Sequence, residues 1–337
     1  MITYPLLQKC GTVGVTAPSS GVELELHDMF KQAVSRSEER GYPVICGETV
    51  WTQDRAKSAP AETRAKEFNR MMQDNSVDVI IPPWGGELLI EIIDMLDFES
   101  FKNKWILGYS DTSVLLLATT LKTGMATAHG TNFVDLRGEY SDTTTVMWEE
   151  VLATKEGESV IQYSSDKFQE KWDHEHPSPE VFHLTEKTTL KTLSDENVTL
   201  KGRLLGGCID VISHLIGTPY GNIDEYQKEF IHNEPILWYF ENCNLATTNL
   251  RRTLVQMRLA GWFDNCSGIM FGRSSANDTV ENYDIKDVYN DLEQDLKVPI
   301  IYDIDCGHVP PQMTLINGAY AEVEVKDGKG KIEQWFN

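Results

Sequence analysis

Short apolar segments alternate with amphipathic segments through the first third of the chain, and this alternation constrains the fold more than any other feature. The apolar segments have the length of strands, whereas the segments between them repeat their apolar residues at helical spacing. The predicted strands cover residues 12–16, 43–46, 77–81, 104–107 and 125–129, and the predicted helices cover 24–41, 61–72, 86–96 and 111–122. Such alternation is typical of a parallel sheet with helices on both faces, which binds ligands beyond the carboxyl ends of its strands.

The rest of the chain divides into a polar segment and a second mixed region. Residues 156–200 have weak apolar periodicity and are predicted to form a linker or excursion. Residues 201–337 contain further apolar strands and helices and end in a predicted hairpin. We therefore expect an α/β protein with an N-terminal domain at 1–155, an excursion at 156–200 and a C-terminal domain at 201–337.

Charge and cysteine content exclude several classes of partner. The chain has 52 acidic and 30 basic residues, a net charge of −22, which repels nucleic-acid phosphates and anionic lipid. No apolar run is long enough to span a membrane, and the first residues lack the basic and apolar pattern of a secretory signal, so none is expected. The six cysteines are widely spaced, which is typical of reduced thiols in the cytoplasm. We expect a cytoplasmic protein that binds neither nucleic-acid polymers nor membranes.

Ser110 lies where a predicted strand runs directly into a predicted helix, in the sequence Gly108-Tyr-Ser110-Asp-Thr. This is the arrangement of a nucleophile elbow, in which a sharp turn exposes the hydroxyl and the helix N-terminus favours a developing oxyanion. The second glycine of the usual pattern is missing here. A serine that merely caps the helix is the alternative interpretation.

Two glycines, Gly85 and Gly86, follow the strand at 77–81 and precede a predicted helix. Glycines at such a position let the backbone approach a substrate closely, as an oxyanion hole requires. An ordinary tight turn is the alternative. The glycine spacing fits neither of the common phosphate-binding loops, so no nucleotide cofactor is expected.

Candidates for a base and its carboxylate partner also follow predicted strands. His129 and His308 both do so, and His308 lies in a loop framed by glycine and proline that is suited to holding an imidazole. A loop histidine without a role is the alternative. Glu241 ends an apolar strand and could orient a histidine or form a structural ion pair. Asp303 and Asp305 are rivals for that role.

Metal and cysteine chemistry have weaker candidates. His174 and His176 could share one face of a strand, but no third ligand is placed nearby, so no metal site is expected. Cys208 and Cys306 could serve as nucleophiles, but neither lies at a strand-to-helix junction.

Taken together, these segments resemble the serine peptidase family of LD-carboxypeptidases and microcin C immunity proteins. The matching stretches are VGVTAPSSG near the start, the Gly85-Gly86 turn, LGYSDTS, AHG at 128–130, GRLLGGCIDVISHLIGTPY at 202–220, FE at 240–241 and GHVPPQMTLINGAYAEV at 307–323. The resemblance implies a flavodoxin-like N-terminal domain, a second α/β domain with β-rich parts, a site between the two, and no metal or cofactor.

The same resemblance assigns roles to individual residues. It implies Ser110 as the nucleophile, His308 as the base and Glu241 as the residue that orients the base. The backbone amides of Gly86 and Asp111 are implied as the oxyanion hole. Further substrate contacts are expected at Gly85, Trp172, His129, Gly206 and Gly207.

Two departures from the family pattern bear on the substrate. LD-carboxypeptidases continue their glycine pair as Gly-Gly-Tyr-Gly, whereas Glu87 and Leu88 follow here. The immunity branch carries a longer excursion with a tryptophan that stacks on the nucleotide part of its substrate, and the excursion here is long and contains Trp172.

We therefore expect a hydrolase of aminoacyl or peptidyl nucleotides of the microcin C type, which cleaves an amide near a free carboxyl terminus. A murein LD-carboxypeptidase is the alternative substrate class, and a non-catalytic small-molecule-binding protein is the alternative of another class. We also expect a homodimer.

Overall fold

The computed structural model describes residues 1–171, 176–194 and 196–337. The strands are β1 (Val13–Val15), β2 (Val44–Cys46), β3 (Val79–Ile80), β4 (Trp105–Gly108), β5 (Thr127–His129), β6 (Ser159–Tyr163), β7 (Lys167–Phe168), β8 (Glu186–Lys187), β9 (Lys191–Thr192), β10 (Val198–Cys208), β11 (Ile236–Glu241), β12 (Cys266–Gly272), β13 (Ile300–Ile304), β14 (Leu315–Asn317), β15 (Tyr320–Lys326) and β16 (Lys329–Trp335). The α-helices are α1 (His27–Glu39), α2 (Ala61–Gln73), α3 (Thr112–Thr123), α4 (Trp148–Leu152), α5 (Ile209–Ile212), α6 (Ile223–Glu229), α7 (Thr247–Leu259) and α8 (Ile285–Leu296). Within these ranges, no helix is long and apolar enough to cross a membrane.

The first five strands form a parallel sheet in the order β2-β1-β3-β4-β5. This is the strand order of flavodoxin-like proteins, so the predicted fold of the N-terminal domain is confirmed. A sixth strand, β14, comes from the C-terminal part and pairs antiparallel with β5. The two halves of the chain therefore share this sheet.

The second sheet has eight strands in the order β6-β16-β15-β10-β11-β12-β13-β9. Its centre, β10 to β13, is parallel, and its outer strands are antiparallel. The long strand β10 pairs antiparallel with β15 along its first half and parallel with β11 along its second half. This sheet confirms the predicted second α/β domain with β-rich parts.

The segment predicted as a linker contributes to that sheet at both of its edges. β6 pairs with β16, and β9 pairs with β13, while β7 and β8 form a separate two-stranded ribbon. The inward positions of β6 include Gln162, whose side-chain amide bonds both backbone groups of Thr314. A buried glutamine satisfied in this way breaks the apolar alternation that would have identified the strand.

Residues 86–96 do not form the predicted α-helix. The chain is irregular as far as Leu88 and then forms a 3-10 helix at Leu89–Met95. The buried guanidinium of Arg64 donates to the Leu88 carbonyl oxygen, and the Leu89 amide donates to the Asp111 carboxylate. Arg64 thus binds a carbonyl oxygen that an α-helix would use, and the Asp111 carboxylate binds the free amide at the start of the 3-10 helix.

Helix α3 lies between the two halves of the molecule and is buried on all sides. Its Ser113 hydroxyl accepts a hydrogen bond from the Cys208 amide at 3.0 Å, at the end of β10. A Cβ at Gly207 would lie only 2.7 Å from Ser113 Cβ, so the strand and the helix are in direct contact. The N-terminus of α3, where Ser110 lies, is therefore held at the junction of the two domains.

Candidate active site

Ser110 occupies the turn between β4 and α3, as the sequence predicts, and has a φ of +63°. A non-glycine residue in this left-handed region carries backbone strain, which persists only where the surrounding structure enforces it. Here the turn is fixed on one side by Asn132, whose side-chain oxygen accepts from the Tyr109 amide at 3.2 Å. The strained turn presents the Ser110 hydroxyl to a cleft, as in a nucleophile elbow.

Ser110, His308 and Glu241 form a continuous chain of hydrogen bonds. His308 Nε2 lies 3.0 Å from Ser110 Oγ, and His308 Nδ1 lies 2.7 Å from Glu241 Oε2. Ser110 follows β4, Glu241 ends β11 and His308 follows β13, so the three side chains come from three strands of two sheets. The Glu241 carboxylate is fully buried, whereas 24% of the His308 side chain is exposed.

The surroundings of these hydrogen bonds favour a protonated His308 beside an ionised Glu241. Burial alone would lower the pKa of His308, but the Glu241 carboxylate and a hydrogen bond with Cys243 hold it well above 6.5. Burial alone would raise the pKa of Glu241, but the neighbouring His308 holds it below its usual range. His308 is therefore a strong proton acceptor, and Glu241 stays ionised beside it.

Asp303 and Asp305, the alternative candidates for the carboxylate that orients His308, bind other residues. Asp305 is buried and accepts hydrogen bonds from Ser165 and Arg273. Asp303 forms an ion pair of 2.7 Å with Lys191.

The loop containing Gly85 and Gly86 lies directly against the turn at Ser110. A Cβ at Gly85 would lie 2.6 Å from Ser110 Cβ and 2.9 Å from the Asp111 amide nitrogen. The Asp111 carboxylate accepts hydrogen bonds from the Ser19 hydroxyl and the Leu89 amide, which ties this loop to the turn. Among the described residues, the amides of Gly86 and Asp111 have no acceptor. Two backbone donors are thus available next to the Ser110 hydroxyl, as an oxyanion hole requires.

Replacing Gly86 by alanine is expected to lower kcat by about 10²- to 10³-fold, the usual cost of losing one oxyanion donor. Gly86 has a φ of +143°, and its new Cβ would lie 2.3 Å from Ser19 Oγ, so the loop must move. The control is Gly217→Ala, which also has a positive φ but has open space around the added Cβ. Steady-state kinetics of both variants check this; equal losses would assign the effect to backbone strain alone.

Two cavities meet at Ser110. The larger has a volume of about 480 Å³, and the smaller, about 160 Å³. Ser110 and Gly86 line both, whereas His308 lines only the larger one. The larger cavity is also lined by Ser20, Gly21, Glu23, Leu26, Gln53, Trp84, Gly85, Tyr109 and Asn132.

Three of the residues predicted to contact substrate lie away from both cavities at Ser110. His129 is fully buried against the Tyr239 ring, and burial lowers its pKa to about 4, so it is neutral. Gly206 and Gly207 are also buried, and their missing side chains allow β10 to approach Tyr239 and Ser113 closely. None of the three lines either cavity. The predicted Trp172 contact lies outside the described residues, as does His174 of the discounted metal pair.

Sequence reasoning missed two thiols beside the histidine. Cys243 forms a hydrogen bond with His308, and Cys208 is buried close to Glu241. Donor atoms of Cys208, Glu241 and His308 lie within 4.8 Å of one another, a sulfur, oxygen and nitrogen set of the kind that zinc binds. A metal held there would compete with Ser110 for His308. Local spacing gives no signal for this group because its members are far apart in the chain.

Family comparisons agree with this architecture. The model of the LD-carboxypeptidase N-terminal domain matches residues 13–130, and the model of the LD-carboxypeptidase C-terminal domain matches residues 201–323. The chain therefore belongs to the LD-carboxypeptidase family of peptidases, as the resemblance predicted.

Individual relatives cover nearly the whole chain. The microcin C7 self-immunity protein of Escherichia coli is 22% identical over 341 residues, which are 96% of this chain and 94% of the relative. The wild-type structure of a microcin C7 self-immunity protein matches with a TM-score of 0.85 at 20% identity, covering 100% of this chain and 99% of the other. A muramoyltetrapeptide carboxypeptidase from Oxalobacter formigenes matches with a TM-score of 0.73 at 20% identity, covering 96% and 98%. The two-domain fold is shared with both structures.

Proposed function

We propose that this protein is a metal-independent serine hydrolase that cleaves an amide through Ser110, His308 and Glu241. The observation that carries the proposal is the pair of hydrogen bonds that joins the Ser110 hydroxyl to His308 and His308 to the Glu241 carboxylate. A hydroxyl becomes nucleophilic when a base removes its proton, and the base works best when a third group fixes its tautomer. Membership of a peptidase family supports the same chemistry.

The proposed reaction has two halves. Ser110 Oγ attacks the substrate carbonyl while His308 Nε2 takes its proton, and the amides of Gly86 and Asp111 bind the oxyanion. The tetrahedral intermediate collapses when His308 gives the proton to the leaving amine, which leaves an acyl group on Ser110. Water then attacks the acyl group with His308 again as the base. Glu241 holds the imidazole in place and stabilises its charged form throughout.

The proposed substrate class is an aminoacyl or peptidyl nucleotide of the microcin C type. Support comes from the match to the self-immunity protein, which has also been solved in complex with aspartyl sulfamoyl adenosine. The alternative is a murein peptide, and the match to the muramoyltetrapeptide carboxypeptidase favours it. We put the nucleotide class first, and the higher TM-score of the immunity protein, 0.85 against 0.73, supports this order.

A hydrolysis panel tests this proposal. The purified protein is incubated with aspartyl sulfamoyl adenosine and with a murein tetrapeptide, and the products are separated by liquid chromatography and identified by mass. Release of sulfamoyl adenosine supports the nucleotide class, and release of the terminal amino acid supports the murein class. Binding of either compound without any turnover, together with no labelling of Ser110 by a fluorophosphonate, would instead identify a non-catalytic binding protein.

Hydrolysis is expected to survive treatment with EDTA, because the proposed steps need only side chains and backbone amides. Initial rates before and after chelation, with the chelator removed by gel filtration, check this. Added Zn²⁺ provides the matched comparison, because the Cys208, Glu241 and His308 cluster predicts inhibition by this ion. Loss of activity on chelation that Zn²⁺ restores would contradict the account.

The cellular compartment and the oligomeric state of the protein are further proposals. We propose a cytoplasmic homodimer that acts on a small molecule or a short peptide. The six unpaired cysteines support the reducing compartment. Light scattering coupled to size-exclusion chromatography measures the assembly, and a monomer mass at micromolar concentration would contradict the dimer.

A further inference from the structure

Tyr109 packs against the imidazole of His308 and adds a constraint that the triad's hydrogen bonds do not provide. The two rings meet edge to face, with their centroids 5.2 Å apart and their planes at 76°. The hydrogen bonds with Ser110 and Glu241 lie at the two ring nitrogens, so they fix the imidazole along one line but resist a tilt about that line only weakly. An aromatic ring packed against the imidazole limits this tilt.

Tyr109 is itself fixed at both ends by one short segment, residues 132–136, which follows β5. The Tyr109 hydroxyl donates to the Asp135 carboxylate at 3.3 Å, and the Tyr109 amide donates to the side-chain oxygen of Asn132 at 3.2 Å. The Tyr109 side chain is buried. Its position is therefore set by the protein around it rather than by solvent.

The 132–136 segment is also bound to the loop that carries the proposed oxyanion hole. The amide of Phe133 donates to the carbonyl oxygen of Pro82 at 3.1 Å, and the amide of Val134 donates to that of Pro83 at 3.2 Å. These two prolines come just before the glycine pair of the loop. One segment thus connects the oxyanion loop, the nucleophile turn and the ring that packs against the base.

Burying the Asp135 carboxylate costs stability, which points to a role in the site. Burial raises the pKa of Asp135 to about 6, although the nearby Arg137 guanidinium opposes this shift. At neutral pH the carboxylate is therefore ionised. Burial also holds the pKa of Tyr109 well above its usual value, so the hydroxyl stays protonated and is the donor. Buried groups with displaced pKa values cluster at functional sites.

The contact with Tyr109 matters most after Ser110 has been acylated. The acylated Ser110 has no hydroxyl hydrogen to share with His308, while the hydrogen bonds of His308 with Glu241 and Cys243 remain. In this state a water oxygen attacks the acyl carbon as His308 Nε2 takes its proton, and the proton goes to Ser110 Oγ when the ester bond breaks. The imidazole must therefore stay aligned with one of its constraints missing.

We propose that Tyr109 is a positioning residue that keeps His308 aligned for hydrolysis of the acyl-enzyme, and that Asp135 holds Tyr109 in place for this step. The inference rests on the proposed serine hydrolase activity and concerns the second half of its reaction. It is the same for a nucleotide and for an amino acid as the leaving group.

Burst kinetics with para-nitrophenyl acetate separate the two halves of the reaction. Nitrophenolate leaves without a proton, so the burst reports acetylation of Ser110, the steady rate reports hydrolysis of the acetyl-enzyme, and the burst amplitude counts the active sites. In Tyr109→Leu the steady rate per active site is expected to fall about 10- to 100-fold, the effect of a misplaced catalytic group. The burst rate constant is expected to fall by less than about threefold, because the Ser110 hydroxyl still aligns His308. Equal slowing of both phases, or an unchanged steady rate, would overturn the proposal.

Tyr109→Phe and Asp135→Ala test the hydroxyl anchor, and they decide the matter if Tyr109→Leu yields no active sites. Each keeps a ring against His308 but removes the same hydrogen bond, so each is expected to lower the steady rate about three- to fivefold, and the double variant no further. Tyr283→Phe removes a hydroxyl that donates to Asp291 at 2.7 Å outside both cavity linings, and as the control it is expected to keep both rates. Additive effects, or unchanged steady rates in both single variants, would overturn the role of Asp135.

The wild-type protein separates this inference from the proposed function. A wild-type protein in which Ser110 is neither labelled by a fluorophosphonate nor acetylated by the ester contradicts the serine hydrolase itself. A wild-type protein that is modified at Ser110 and hydrolyses the ester, together with an unchanged steady rate in Tyr109→Leu, contradicts only the role of Tyr109.

Discussion

The variant Ser110→Ala is expected to lose hydrolysis by roughly 10⁴-fold or more, the scale of nucleophile removal in other serine hydrolases. The hydroxyl shares one hydrogen bond with His308 and lies at a cleft, so its loss removes the reacting atom and little packing. The melting temperature is therefore expected to stay within about 4 °C of the wild-type value, because one partly exposed hydrogen bond contributes about 1 kcal/mol.

Steady-state assays and calorimetry of the purified variant measure the two effects separately. Ser35→Ala, which removes an exposed hydroxyl from α1, is the control and is expected to keep both the wild-type turnover and the wild-type melting temperature. Turnover of Ser110→Ala within tenfold of the wild-type rate would show that another group is the nucleophile.

The variant Glu241→Gln is expected to lower kcat by about 10³- to 10⁴-fold, as loss of the orienting carboxylate does in other triads. A glutamine can accept the hydrogen bond from Nδ1, but it does not stabilise an imidazolium. Glu241 has the buried position and the 2.7 Å contact that this role requires. Glu322→Gln, which breaks an ion pair with Lys201 on β10, is the control.

The same variant has a signature in the pH profile. His308 must be neutral to accept the serine proton, so wild-type kcat/KM is expected to rise with pH through an apparent pKa above 6.5, the direction in which Glu241 shifts it. Removing the carboxylate lowers that pKa, so the rising limb of Glu241→Gln is expected to move to lower pH. If the rising limb of Glu241→Gln stays at the wild-type pH, a group other than His308 paired with Glu241 controls the titration. That result is also the one expected if Glu241 has only a structural role.

The fold could be predicted largely because its strands and helices follow local rules. The helices at His27–Glu39 and Ala61–Gln73 form where the apolar spacing predicts helices at 24–41 and 61–72. The edge strand at Ser159–Tyr163 was missed because its inward glutamine is satisfied by Thr314, a partner far along the chain. The helix predicted at 86–96 was wrong: Arg64 binds the Leu88 carbonyl oxygen, and Asp111 binds the Leu89 amide where a 3-10 helix begins instead. Both differences arise from long-range side-chain contacts that spacing cannot reveal.

Some features of the candidate site could likewise be predicted from the sequence, and others could not. The turn at Ser110 could be predicted because it depends only on a strand that runs into a helix. His129 and His308 both follow strands, and the loop framed by glycine and proline already favoured His308. The tertiary structure agrees, because His129 is buried and His308 reaches the cleft. The link from Asp111 to Ser19 and the proximity of Cys208 to Glu241 could not be predicted, since each joins residues that are distant in the sequence.

Mass spectrometry of the protein after reaction with a fluorophosphonate tests the central claim most directly. The account predicts one adduct per chain, located on Ser110 by peptide sequencing, with a labelling rate that falls sharply when His308 is replaced by alanine. An adduct on another residue, or an unlabelled Ser110 in a protein that still hydrolyses its substrate, would contradict the assignment of Ser110 as the nucleophile.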